Sequence, residues 1–418
     1  MAMNIETNSI GIGDRFGKEG LAQLRAIRRA EEEGILVVPV WNKSNREHSL
    51  IGTTPADVRS AADAAVREAG WTHRYYVDAD HIGLKTVDSF LPWSDFFTLD
   101  VADFIGQQAP DDTIAAFVRD MAPFRGALRI PGVDATFEVT DAVLERIGRH
   151  YLYAVSEAGR TYRHIASAKG VDHFVTEVSI DEAEAPQRPL ELFFILAAIA
   201  REKIPAQTIA PKFSGKFLKG VDYVGDVGTF EREFEADLAV IRHSIGVFQL
   251  PRSLKISVHT GSDKFSLYPP MRAALKKQGA GIHLKTAGTT WLEEVIGIAI
   301  SGPAGLALVE RIYAEAYDRF SELCRPYATV VEIDYASLPT PTQVAAWSGD
   351  SFAQHLRHDP SCPSYSVHFR QLMHVAFKVA AELGDEFRSA LDAARETVAR
   401  CVTANLFDRH IRPLFVGG

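Results

Sequence analysis

Cysteine is scarce in this chain: three in 418 residues, Cys324, Cys362 and Cys401, far apart and with no C-x-x-C pair. That spacing argues against a disulfide framework or a thiolate-built structural zinc site, and favours a reducing compartment. Long hydrophobic runs are missing too. No apolar stretch approaches the about 18 residues that a membrane span needs, and the first residues lack the basic, hydrophobic, small-residue pattern of a secretory signal. Excess positive charge is absent: 45 Lys+Arg against 54 Asp+Glu leave a net charge of −9, which disfavours a non-specific nucleic-acid binder. Low-complexity linkers and internal repeats are also lacking. The expectation is a cytoplasmic globular protein with neither a nucleic-acid nor a membrane partner.

What is present is a recurring pattern. Hydrophobic content of 46% and charged content of 24% suit a large core. Six apolar runs each end in polar or ionisable residues, always on the same side. Ile35–Trp41 runs into Asn42 and Lys43, and Tyr75–Val77 into Asp78, Asp80 and His81. Phe174–Thr176 runs into Glu177, and Ile209–Pro211 into Lys212 and Ser214. Ile256–Val258 runs into His259, Asp263 and Lys264, and Ile282 into His283 and Lys285. Short strands that finish in chemistry at one end are what an α/β (β/α)8 TIM-like barrel produces, because its site gathers at the carboxyl ends of the strands.

Strands are predicted at 35–41, 73–80, 96–101, 172–180, 207–213, 254–260, 281–286 and 328–334, with helical periodicity between them. An open, doubly wound sheet would show the same alternation, so closure rests on the strand count. The long link at about 103–170, after the third strand, reads as an insertion, with Arg129–Asp134 as a turn or hairpin. We expect one elaborated domain: a barrel over 1–340 and a helical extension over 341–418, amphipathic from about 366 to 400. That tail would be a packed cover or a homo-oligomer contact.

If the barrel closes, His81, His259 and His283 share one mouth. Converging imidazoles and a carboxylate make a divalent-metal site, with Zn, Mn, Ni or Co all suitable and Asp222 or Asp226 able to complete the shell. The competing reading is histidines hydrogen-bonded within the barrel rim. Asp80 and Glu177 are the candidate acid–base pair, Glu177 lying among apolar neighbours where an unpaired carboxylate is costly. Each could instead salt-bridge a barrel lysine. Lys43, Lys212, Lys264 and Lys285 put positive charge on the rim, suited to a small anionic substrate. A Schiff-base lysine ranks below charge recognition. The segment Gly11–Gly17 spaces its glycines unlike a dinucleotide loop and is expected to be a capping turn at the barrel floor or rim.

Gly11–Gly17, Pro39–His48, Tyr76–His81 and Ser257–Lys264 together resemble the tagaturonate epimerases. The resemblance implies a metal-dependent interconversion of D-tagaturonate and D-fructuronate, keto-uronates of hexuronate breakdown. Two alternatives stay open: a metal-dependent aldolase or isomerase acting on another anionic sugar, and a non-catalytic sugar-binding barrel subunit.

Overall fold

In the computed structural model, which describes residues 3–417, eight parallel strands close into a barrel. They are β1 (Asn8–Ile12), β2 (Val38–Ser44), β3 (Tyr76–Ile82) and β4 (Phe96–Asp100), then, beyond a hairpin of β5 (Gly126–Arg129) and β6 (Thr136–Val139), β7 (Val175–Ser179), β8 (Thr208–Ala210), β9 (Lys255–His259) and β10 (Ile282–Lys285). The barrel runs β1-β2-β3-β4-β7-β8-β9-β10, and β10 pairs back onto β1. This is the (β/α)8 barrel expected, with the hairpin and the long helix Asp141–Lys169 filling the insertion between β4 and β7.

Two strand assignments need correction. Gly11–Gly17 is expected to be a capping turn, but its first two residues, Gly11 and Ile12, belong to Asn8–Ile12, an unexpected strand that closes the barrel, bonded to β10 on one side and β2 on the other. Its glycine is there for space: a Cβ on Gly11 would lie 3.0 Å from Lys285 Cγ and 3.1 Å from Lys285 Cα. The β-branched stretch 328–334 is not a strand. With the barrel already closed, it crosses the rim, where Lys219 N–H donates to Val330 O and the Gln371 amide exchanges hydrogen bonds with both Glu332 backbone groups. A side-chain amide stands in for a neighbouring strand.

Local signals set the helices. The helix Pro55–Ala69 starts from a Thr54–Asp57 capping box with proline in its first turn and stops at left-handed Gly70. Ser44 both ends β2 and caps Asn45–Ile51 through Glu47. From Thr290 onward the chain is helical, and its apolar faces form a second core around Trp291, Val295, Tyr313, Phe369 and Val398. Gly297 lets Thr290–Ile300 meet Arg395–Ala404 closely, since a Cβ there would fall 2.6 Å from Val398 Cα. The amphipathic stretch at 366–400 is broken into short helices rather than one long rod.

One barrel residue fastens this cover. Asp263, just past β9, is fully buried and accepts from Arg370 Nη2 (2.7 Å), His358 (3.0 Å), His410 (3.1 Å) and Thr289 Oγ1 (2.7 Å). Burial would raise its pKa, but Arg370 and the two histidines hold its carboxyl well below the usual range. No helix among the described residues is long and apolar enough to cross a membrane.

Candidate active site

At the amino end of the barrel's interior Ile5, Val40, Tyr76, Phe96 and Val175 pack together, and beside them buried Lys255 donates to Ser9 Oγ. Above that plug the inward positions turn ionisable. Lys285 on β10 sits at the centre, its Nζ 2.8 Å from Asp78 Oδ2, 2.9 Å from Asp80 Oδ1 and 3.0 Å from Glu177 Oε1. Thr98 also accepts from it, at 2.5 Å, and donates to Asp78. Burial disfavours the ammonium, yet the surrounding carboxylates raise its pKa well above the ordinary value. The carboxylates respond unequally. Asp78 is pushed up to about 7, because burial outweighs the pull of Lys285. At Asp80 the balance reverses, Lys285 and His81 overcoming burial to hold it at about 2. Glu177 also lies well below the carboxylate range, burial being overcome by Lys285 and His259. Asp80 alone of the three faces outward: its side chain is 11% exposed, against 0% for Asp78 and Glu177.

Beside this node, His81, Asp181 and His259 each bring one ligand-type atom within 4.8 Å of the others. Strand alternation would carry His81 away from Asp80. Instead the β3–β4 register shifts between Ala79 and Ile82, and His81 takes a left-handed φ of 49° that turns its ring into the mouth. That conformation is costly for a non-glycine residue and tends to cluster at functional sites. His81 Nδ1 contacts Asp100 Oδ2 at 2.9 Å, and His259 Nε2 contacts Glu177 Oε1 at 2.8 Å. Those partners leave His81 Nε2 and His259 Nδ1 toward the cluster. His259 Nδ1 lies 3.1 Å from Asp181 Oδ2 but is not aligned for a hydrogen bond. Burial works against charge on both rings. Asp80, Asp100 and Asp181 nevertheless raise His81 well above its usual pKa, and Asp181 and Glu177 raise His259 to about 9. Five acidic groups surround this mouth with one lysine among them, an environment that attracts a cation.

The remaining candidates scatter. His283, one turn of the pleat below Lys285, contacts Ser9 Oγ at 2.9 Å and leaves Nε2 without a partner. It stands outside the His81–Asp181–His259 group, and burial drives its pKa well below the ordinary value. Asp226 is not brought to the mouth: it is exposed and N-caps the helix Val227–Phe248 through Thr229, so it does not complete the shell. Asp222 is taken up by Ser266. Lys43 is buried and donates to Arg15 O. Lys264 is enclosed by Leu218 O, Val221 O, Asp263 O and Ser262 Oγ, leaving nothing for a substrate; its work is to fix the loop 213–226. Lys212, beyond the end of β8, is partly exposed, and its ammonium has no partner among the described residues. Asp181 and Asp100 escaped the sequence reading, although both stand at strand ends and the same rule applies to them.

The family model for tagaturonate epimerase matches residues 1–411. The Tagaturonate/fructuronate epimerase of Thermotoga maritima is 29% identical over 386 residues, covering 88% of this chain and 72% of that protein. In fold, the chain resembles the glycerol-complexed crystal structure of fructuronate-tagaturonate epimerase from Cohnella laeviribosi, with a TM-score of 0.80 and 24% identity over 99% of this chain and 82% of that one. The native crystal structure of the same Cohnella protein gives a TM-score of 0.78 at the same identity and coverage.

Proposed function

The chain belongs to the tagaturonate epimerase family, and from that premise we propose that it interconverts D-tagaturonate and D-fructuronate with a divalent metal held by His81, Asp181 and His259. The observation that carries the metal is the pair of imidazole nitrogens that gather with Asp181, each ring steadied by a carboxylate on its other nitrogen. Metal-ligating histidines are fixed in this way. Metal–ligand bonds of about 2.0–2.2 Å keep ligand atoms within about 4.4 Å of one another, so the three groups need only a small inward movement. Two nitrogens and an oxygen suit Zn, Mn, Ni or Co. When bound, such an ion supplies Lewis acidity toward a ketone and a neighbouring hydroxyl.

The two keto-acids differ at a carbinol carbon two bonds from the ketone carbon. Its C–H is not acidified by the carbonyl, so enolisation alone does not invert it. Asp80, ionised and facing outward, removes the proton from the hydroxyl on that carbon. The bond to the carbon next to the ketone then breaks, its electrons passing to the ketone fragment, and an aldehyde fragment forms that keeps the carboxylate. The aldehyde turns its other face, the bond re-forms and Asp80 returns the proton, so nothing is gained or lost. Glu177, expected to share acid–base work with Asp80, is enclosed, and we assign it to holding His259 and Lys285. Lys212, whose ammonium has no partner among the described residues, stays a proposed substrate contact.

The test incubates metal-stripped and metal-restored protein with tagaturonate in deuterated water and follows fructuronate by NMR. Conversion that returns with metal and leaves the inverted carbon free of deuterium is expected. Deuterium at that carbon would replace bond cleavage with direct proton exchange, and metal-independent turnover would remove the ion. Separable cleavage products would point to an aldolase.

A further inference from the structure

The loop 213–226 is pinned around residues 218–221 from every side. Lys264 takes Leu218 O and Val221 O, Ser262 Oγ accepts from Gly220 N, Arg370 donates to Gly220 O, and Lys219 N donates to Val330 O. The lysine among these fixed peptides is not itself tied down. Lys219 Nζ has neither a hydrogen bond nor an ion pair among the described residues, although the side chain is partly buried. It overhangs the rim beside Gly261, two residues past His259, close enough that a Cβ there would come within 3.0 Å of the ammonium. Glu182, adjacent to Asp181, also acts on it electrostatically.

Its other charged neighbours are two arginines and Glu47, which pairs with Arg15 Nη2 at 3.6 Å. Arg46, exposed and without an ion pair, and Arg15, whose Nε is buried without a partner, both bear on Lys219. Burial and then Arg46 depress the ammonium's pKa, and Glu47 and Glu182 offset only part of that. Gathering like charges on a rigid platform is unfavourable unless an anion visits it. The substrate class named above carries one anionic group, at the end remote from its ketone.

We propose that Lys219, backed by Arg46, is the subsite that binds the carboxylate of the keto-uronate. The assignment rests on the proposed reaction and names the residues that make an acid, rather than a neutral ketose, the substrate. Lys264 and Ser262 act as positioning residues that hold the platform.

The experiment measures tagaturonate kinetics and bound metal for Lys219→Met and Arg46→Met beside the parent. Losing a charge-assisted contact made equally to substrate and transition state raises KM about 30-fold or more for Lys219→Met. Its kcat stays within about threefold and its metal content is unchanged. Arg46→Met, at an exposed site whose one described contact is a guanidinium 5.7 Å from the Tyr327 ring centroid, raises KM in the same direction by a smaller factor. A KM within threefold of the parent in both variants overturns the proposal, as does a fall in kcat accompanied by loss of metal. Should the parent not turn over tagaturonate, the reading of the reaction fails separately. The subsite is then tested by galacturonate binding, which must weaken at least tenfold in Lys219→Met and overturns the proposal if it does not.

Discussion

Replacing Lys285 by Met removes the single cation shared by Asp78, Asp80 and Glu177, all within 3.0 Å of its Nζ. Breaking a buried pair by deleting one partner costs about 3–5 kcal/mol, and three carboxylates losing their shared counter-charge put this site at the upper end, although Glu177 keeps His259 and Asp80 keeps His81. The pH dependence follows from the directions of the shifts. In the parent, Asp80 and Glu177 have folded-state pKa values below those of the unfolded chain. Their stabilisation is therefore complete above the unfolded carboxylate range near pH 4 and fades as pH falls through the folded values. Without Lys285, burial dominates and raises those values, so the variant loses stability as pH climbs above about 4. The gap between parent and variant must widen with pH. Guanidinium unfolding of chelator-treated protein, followed by circular dichroism, should show a loss of about 4 kcal/mol at pH 8. At pH 5 the loss should be smaller by at least about 1.4 kcal/mol, the equivalent of one pKa unit. A loss under 1 kcal/mol at pH 8, or the same loss at both pH values, refutes the account of Lys285 as the counter-charge.

Glu177→Gln weakens the partner of His259 Nε2 and is expected to lower divalent-metal affinity about 10–100-fold, read by calorimetric titration; an unchanged affinity would show that Glu177 does not orient the ring. Gly297→Ala forces a Cβ to within 2.6 Å of Val398 Cα and should cost about 1–3 kcal/mol, seen as a lower thermal midpoint in scanning fluorimetry. A midpoint equal to the parent's would mean that the two helices separate freely.

The strand-end rule placed most of the site because period-two alternation in a closed barrel leaves little freedom: Asp78, Asp80, His259 and Lys285 all meet in the mouth. It failed where backbone geometry or long-range packing decides. Asn8–Ile12 carries only two large apolar residues and a glycine demanded by Lys285, so its local pattern reads as a turn. Residues 328–334 have the composition of a strand but no open barrel edge to join. The inward turn of His81 depends on a left-handed residue that histidine does not announce. Lys264 and Lys219 both lie in loops that follow barrel strands, and only the folded arrangement shows that one is spent on carbonyls while the other has no partner among the described residues. The expected strand number was met by a missed first strand and a surplus last one, so agreement in the count concealed two errors of placement.

Because β1 needs β10 as its neighbour, the first strand to leave a ribosome waits for one of the last pieces of the barrel before its second edge is covered. During synthesis both margins of the growing sheet stay bare, and such margins invite pairing with other chains. Truncated products ending before Ile282 would therefore expose an adhesive rim rather than a smaller barrel, and cells making this protein have reason to destroy them quickly.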